Sequence, residues 1–422
     1  LWFGLAMLMP VAMSARDFAF TYEGSTLIYT VLDENAKTCQ TKAGTSSSSP
    51  GNKISSTTNL VIPSTASDGS ASFTVTQLGN NAFVHQSMLP NVTIPNTVTN
   101  IGAYAFSKCS GLTSIKIPDS VTSIGKNCFL DCSGLTSAEI GTSVKSINDY
   151  SFAGCSNLTN IKIGDAVTDI GKNAFAECTG LAHVEFGKSV STIGNDACSG
   201  CVGLSSIEMP NSLTRIGNNV FYGCTGLKNI AIPNSVTEMG DNTFYGCSDL
   251  ASVKMGNSLT SIGKYIFADC VSLTDIEIGS SVTTIGYGAF FGCSGLIDIS
   301  LPSTVTNIDK FAFYGCKSLS CINCPIATPP TCQTATWSLV PTDCTVNVPV
   351  EAIQMYKDAE GWNYFTNFQE KDGAAGVDAL TIPIDQPTEY YDLNGLRIDA
   401  DNLRPGIYIK RHAIKTEKVR VQ

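Results

Sequence analysis

The stretch "TNIGAYAFSKCSGLTSIKIPDSV", residues 99–121, decides the fold, because residues 122–144, "TSIGKNCFLDCSGLTSAEIGTSV", repeat it. Ile101, Ile124, Ile147, Ile170, Ile193, Ile216, Met239, Ile262, Ile285 and Ile308 fall 23 residues apart without a slip. Five residues after each stands a Phe, from Phe106 to Phe313, except that Cys198 takes the place once. Eight after stand Cys109, Cys132, Cys155, Cys178, Cys201, Cys224, Cys247, Cys270, Cys293 and Cys316. A fixed period of this length marks a solenoid, in which one unit cannot bury its apolar face alone and stacked units can.

Within a unit, Ile115 and Ile117 alternate with Ser114 and Lys116, the period-two mark of a half-buried strand. Pro118, or a glycine at the same offset, ends it, and "SVTSIG" follows as a second extended piece. Segments of the "NAFAEC" type predict a tight helical turn before the next strand. The fold class is mostly β: a right-handed solenoid of parallel strands and short helical turns, with a small C-terminal β module. Equivalent residues then lie about 4.8 Å apart in successive coils. The ten cysteines predict a buried ladder of small apolar groups beside a phenylalanine ladder. Disulfides between coils are the alternative, since about 4.8 Å falls inside the Cα window of such bonds. Parallel Cβ vectors suit them poorly. Cys198, smaller than the Phe it replaces, predicts a weak spot or local cavity.

The pattern L-x-x-I-x-I-P-x-S-V-T-x-I-G-x-x-A-F-x-x-C resembles the 23-residue Treponema-type, BspA-like leucine-rich repeats of Bacteroidales proteins. The resemblance extends outward to entry strands and to a capping segment in which Trp362, Tyr364 and Phe365 close the apolar end. It divides the chain into 16–77 (N-terminal entry or cap), 78–324 (solenoid, about 11 repeats), 325–371 (cap), 372–376 (linker) and 377–422 (β-rich tail). The tail's "YDLNG" and "LRPGIYIK" resemble the sorting domains of type IX secretion cargo, with a generic β appendage as the alternative. Residues 1–15 resemble a truncated signal peptide, a buried strand being the alternative. The resemblance implies an exported protein, secreted or held at the surface of a Gram-negative, Bacteroidales-like cell. Its implied partners are proteins or glycoproteins of host matrix or other cells, bound in an adhesin-like manner. A structural envelope scaffold without a dedicated ligand is the alternative.

Composition agrees with binding rather than nucleic-acid chemistry. The net charge is -10, which repels phosphate backbones, and no stretch reaches transmembrane length. Only three histidines occur, widely separated, and no phosphate loop, metalloprotease helix motif or nucleophile elbow appears. No enzyme activity, cofactor or metal is expected. The candidate binding surface is the outward strand face: Lys116, Glu139, Lys162, His183, Glu185, Glu208, Lys254, Asp275, Glu277 and Asp298. Its alternating charges also suit a merely solvated, self-complementary sheet. Cys321, Cys324, Cys332 and Cys344 leave open a disulfide (332–344 or 321–332), a zinc site or thiols at the capping edge. Tyr222, Tyr245, Phe291 and Tyr314 directly follow ladder positions, where packing over the next coil competes with a partner-binding edge.

Overall fold

The computed structural model describes residues 16–46, 48–54, 59–370 and, in the tail, 389–391, 397–398, 406–412 and 415–421. The expected signal peptide, 1–15, and linker, 372–376, lie outside the described residues. Each 23-residue unit makes one coil with a three-residue strand, such as Ser114–Lys116, and a two-residue strand, such as Ser123–Ile124. Both stack in parallel on their counterparts, Ser137 opposite Ser114 and Glu139 opposite Lys116. The longer strands form three successive sheets. One runs from Leu60–Val61 to Ser206–Glu208, and the next from Asn229–Ala231 to Asp275–Glu277. The third runs from Asp298–Ser300 through Cys321–Asn323 and Thr345–Val348 to Asn367–Glu370.

The core is the set of stacked apolar offsets. Leu112, Val121, Ile124, Phe129 and Cys132, with their counterparts, are buried, Met239 alone being half-buried. The phenylalanine rings stack at 5.0 to 5.8 Å from Phe83 to Phe175, and at 5.1 to 5.5 Å from Phe221 to Phe313. Cys198 interrupts the column between them. All ten ladder cysteines are buried thiols rather than disulfides. Each donates to a main-chain carbonyl of the preceding coil: Cys132 Sγ to Phe106 O at 3.1 Å, Cys293 Sγ to Phe267 O at 3.0 Å. The thiol therefore fills a small apolar slot and adds a donor to a carbonyl that already accepts the Cys109 amide of its own coil.

The expected helical turn is absent from the described repeats, and its place is taken by a run of hydrogen-bonded turns. The amides of Ala105, Ser107 and Cys109 bond within the coil, to Gly102, Tyr104 and Phe106 carbonyls. Those of Tyr104, Phe106 and Lys108 bond to Lys126, Cys128 and Leu130 of the next coil. A helix needs every amide internally, so this alternation forbids one. Left-handed backbone at Tyr104 and Lys108, φ 57° and 59°, sets the alternation.

Exposed hydroxyls bind the coils as well. Thr122 Oγ1 donates to Thr99 O at 3.2 Å, and Thr283 Oγ1 to Thr260 O at 3.0 Å. The pairing of the two-residue strands breaks between Ser123–Ile124 and Ser146–Ile147, where Lys145 N still bonds Thr122 O, and again after Glu238–Met239. Thr237 N bonds Thr214 O and Gly240 N bonds Ile216 O; two coils further on, Thr283 N bonds Thr260 O and Gly286 N bonds Ile262 O. The rung between, from Glu238–Met239 to Ser261–Ile262, is unpaired, and a cleft of about 320 Å³ lined by Thr237, Met239, Thr260 and Ser261 lies there.

Both ends are covered, as a solenoid requires. At the N-terminus, strands Asp17–Tyr22, Ser25–Asp33, Thr38–Thr41 and Ser72–Leu78 join the two-residue ladder. There the Phe18 ring packs on Tyr29 and Phe73. At the C-terminus Trp337 stacks on Phe313 at 4.7 Å and packs against Trp362 and Phe365. Trp362 Nε1 donates to Pro330 O and the Tyr364 hydroxyl to Val340 O. Of the alternatives left open at the capping edge, no bridge joins Cys332 to Cys344 or to Cys321. Cys332 and Cys344 are buried thiols, and Cys332 Sγ donates weakly to the Glu360 carbonyl. The tail strands Glu389–Tyr391, Arg397–Ile398, Gly406–His412 and Lys415–Val421 make an antiparallel sheet of their own.

Candidate functional site

The strand face is built by the alternation within each three-residue strand, whose central residue is buried and whose flanking residues point to water. Lys116, Glu139, Lys162, Glu185, Glu208, Lys254, Asp275, Glu277 and Asp298 are exposed, and His183 is half-buried. Lys116, Glu139, Lys162, Glu185 and Glu208 follow one another in register across one sheet, with His183 beside Glu185. Lys254, Asp275 and Glu277 belong to the second sheet and Asp298 to the third. The ten candidate residues thus form one acidic-leaning stripe in three segments.

Charges pair along this stripe. Lys116 Nζ lies 2.9 Å from Glu139, Lys162 Nζ 2.6 Å from Glu185 and Lys254 Nζ 3.0 Å from Glu277. The hydrogen bond that each ammonium donates to its partner carboxylate holds Lys116 and Lys162 above the ordinary lysine value. These pairs are open to water, so they order side chains more than they stabilise the coil. Glu208 sits in register beside Glu185 and makes no ion pair among the described residues.

Sequence reasoning misses a concavity on this face. Gly141 and Gly164 stand where Pro118 ends the first strand, and beside them opens a groove of about 450 Å³. Ile140, Ile163 and Phe186 form its apolar floor; Glu139, Lys162, Glu185, Asp165 and Lys188 supply charged groups around it. The offset occupied by Phe186 holds Ile, Met or Leu in the other coils from Ile117 to Leu301. That single aromatic was the available signal. The arrangement offers apolar contact flanked by both signs of charge, which is a recognition surface in chemical character. Among the described residues no group of three or more His, Cys, Asp or Glu side chains is arranged to hold a metal ion.

A model of the BspA type leucine rich repeat region (6 copies) matches residues 76–203 and 191–320. The chain belongs to this family. A leucine-rich repeat protein from Bacteroides ovatus is similar at 28% identity, over 82% of this chain and 98% of that one, with a TM-score of 0.60. A leucine rich cell surface protein from Faecalibacterium prausnitzii is 24% identical over 84% of this chain and 95% of that one, with a TM-score of 0.43. The pneumococcal vaccine antigen PcpA is 19% identical over 84% and 98%, with a TM-score of 0.47. No curated protein matches. The BspA-type assignment accounts for the 23-residue period, and among the described residues no helix is long and apolar enough to cross a membrane.

Proposed function

We propose that this BspA-type repeat protein is an exported, surface-associated binder of proteins or glycoproteins, adhesin-like and without catalysis. The observation that carries this reading is the groove floored by Ile140, Ile163 and Phe186 within a register-locked polar strand face. An apolar floor inside a charged rim is the anatomy of a recognition patch, whereas a purely load-bearing sheet has no use for an aromatic there. The ion pairs Lys116–Glu139, Lys162–Glu185 and Lys254–Glu277 favour a second reading, an envelope scaffold whose face is satisfied by itself.

Purified full chain presented to a panel of matrix glycoproteins and co-resident cells separates the two. The binder reading expects saturable binding that falls at least about tenfold in Phe186→Ala and in Lys162→Glu. Both variants keep their unfolding midpoint within a few degrees, since Lys162 is exposed and Phe186 half-buried. No binding across the panel, or binding untouched by either variant, overturns the reading in favour of the scaffold.

A further inference from the structure

The repeats provide their own control for a second surface. The residue after the ladder phenylalanine is Ser107, Leu130, Ala153 or Ala176 in the early coils, but Tyr222, Tyr245, Phe291 or Tyr314 in four of the five later ones, Ala268 being the exception. The backbone is the same in both halves: Lys108 N bonds Leu130 O in an early coil, and Gly223 N bonds Tyr245 O in a later one. The coil therefore does not need an aromatic there.

A neighbouring position contributes further rings. Three residues after the ladder isoleucine the backbone is left-handed, and Asn127, Asn173, Asn219 and Asn242 occupy it at φ 54° to 59°. Asparagine tolerates that conformation; bulky side chains are disfavoured in it. Tyr104 and Tyr150 in early coils and Tyr265 and Phe311 in later ones nevertheless hold it, at φ 52° to 62°. Among the described residues, only in the later coils do such rings meet aromatic neighbours.

The rings join into one surface over five coils. Tyr222 stacks on Tyr245 at 5.1 Å, Tyr245 meets Tyr265 at 6.4 Å, and Tyr265 meets Tyr287 at 5.3 Å. Phe311 and Phe291 continue it to Tyr314 at 5.7 and 4.7 Å. Tyr222, at the leading end, is 44% exposed, and the other rings are half-buried.

The charge beside the rings selects the occupant. Asp241 and Asp269 come from the same coils and make no ion pair among the described residues. The Tyr245 hydroxyl hydrogen-bonds the Asp269 carboxylate. Lys264 and Lys310 are the cations of this edge, and the Lys310 ammonium lies 4.9 Å from the Phe311 ring centre, a demonstration that these faces accept a cation. The chain's net charge of -10 repels an anionic ligand and a second copy of itself.

We infer that this aromatic edge docks a protein segment rich in lysine or arginine, its cationic side chains lying over the rings and against Asp241 and Asp269. Aromatic faces and unpaired carboxylates together favour such groups over neutral ones.

The test uses full chain with oligolysine, oligoarginine, polyglutamate and a neutral glycan panel as probes. Two double variants carry residues taken from sister coils: Tyr265→Asn with Phe311→Asn, and Tyr222→Ser with Tyr314→Ser. All keep the net charge, so general attraction of a cation to an acidic protein is held constant. The expected result is saturable, salt-sensitive binding of the cationic peptides that drops at least about tenfold in either double variant. The asparagine variant should melt no lower than wild type, and Lys162→Glu on the strand face should leave this binding in place. Equal peptide binding by wild type and both double variants overturns the proposal. So does a preference for the glycans or polyglutamate, or self-association that the double variants abolish.

Discussion

The Cys109 thiol is shut away from water and donates to the Phe83 carbonyl at 3.0 Å. Burial pushes it up to about 12 from an ordinary value of 9.0, and pushes Cys132, Cys155, Cys247 and Cys293 well above theirs. The folded chain thus holds neutral thiols that the unfolded chain ionises near pH 9. A raised pKa contributes stability fully present below the unfolded value and lost as pH rises toward the folded one. Stability is therefore expected to be flat from pH 6 to 8 and to fall with increasing slope above pH 9, read from urea midpoints across that range. Native alkylation of the ladder should be slow at pH 8 and should accelerate only with unfolding. Fast labelling of most ladder cysteines in folded protein, or an alkaline limb no steeper than that of a cysteine-poor coil, would contradict the burial described above. The ladder's interior position is legible from offset alone; the carbonyl each thiol meets is not, because it belongs to another coil.

The two-residue strands show what a single change does to an element. Nine coils hold a buried Ile at the ladder offset, and the tenth holds Met239, which is half-buried. Of the two breaks in this ladder, the rung from Glu238–Met239 to Ser261–Ile262 stands open around the cleft. An unbranched, flexible side chain packs a pleated surface less well than a β-branched one. Met239→Ile is expected to restore the bonds from Thr260 N and Gly263 N. Hydrogen exchange at those two amides should slow at least about tenfold and stability should rise by about 1 kcal/mol. Unchanged exchange would mean that the opening has another cause. The alternation in "LTSIKIP" already places Lys116 outward, because period two within a period of 23 admits one register. The groove at Gly141 and Gly164 is not legible in the same way, since it depends on three adjacent coils at once.

The whole molecule is quasi-one-dimensional, so its ends matter more than those of a globular domain. Trp337 is fully buried on Phe313 and against Trp362 and Phe365. Trp337→Ala is expected to cost about 3–5 kcal/mol, with the loss graded along the coil. Amides near Cys316 and Ile322 should lose protection while those near Ile124 keep it, a pattern that residue-resolved hydrogen exchange reads directly. Uniform loss along the chain would show a single cooperative unit instead. Trp362 and Phe365 are recognisable in the sequence as closing residues. Trp337 falls outside the period and gives no such sign.

Read alone, the amino-acid sequence determined the repeat, its offsets, and the side of the coil on which each offset lies, because a period without insertions leaves one way to stack. Tertiary structure alone decided that alternate amides bridge coils instead of making a helix, and that Cys332 and Cys344 remain thiols. It also decided that Phe186 floors a groove and that scattered tyrosines join into one edge. Each of those outcomes depends on the distance between groups remote in the chain, most of them 20 or more residues apart, which the packing of coil on coil sets.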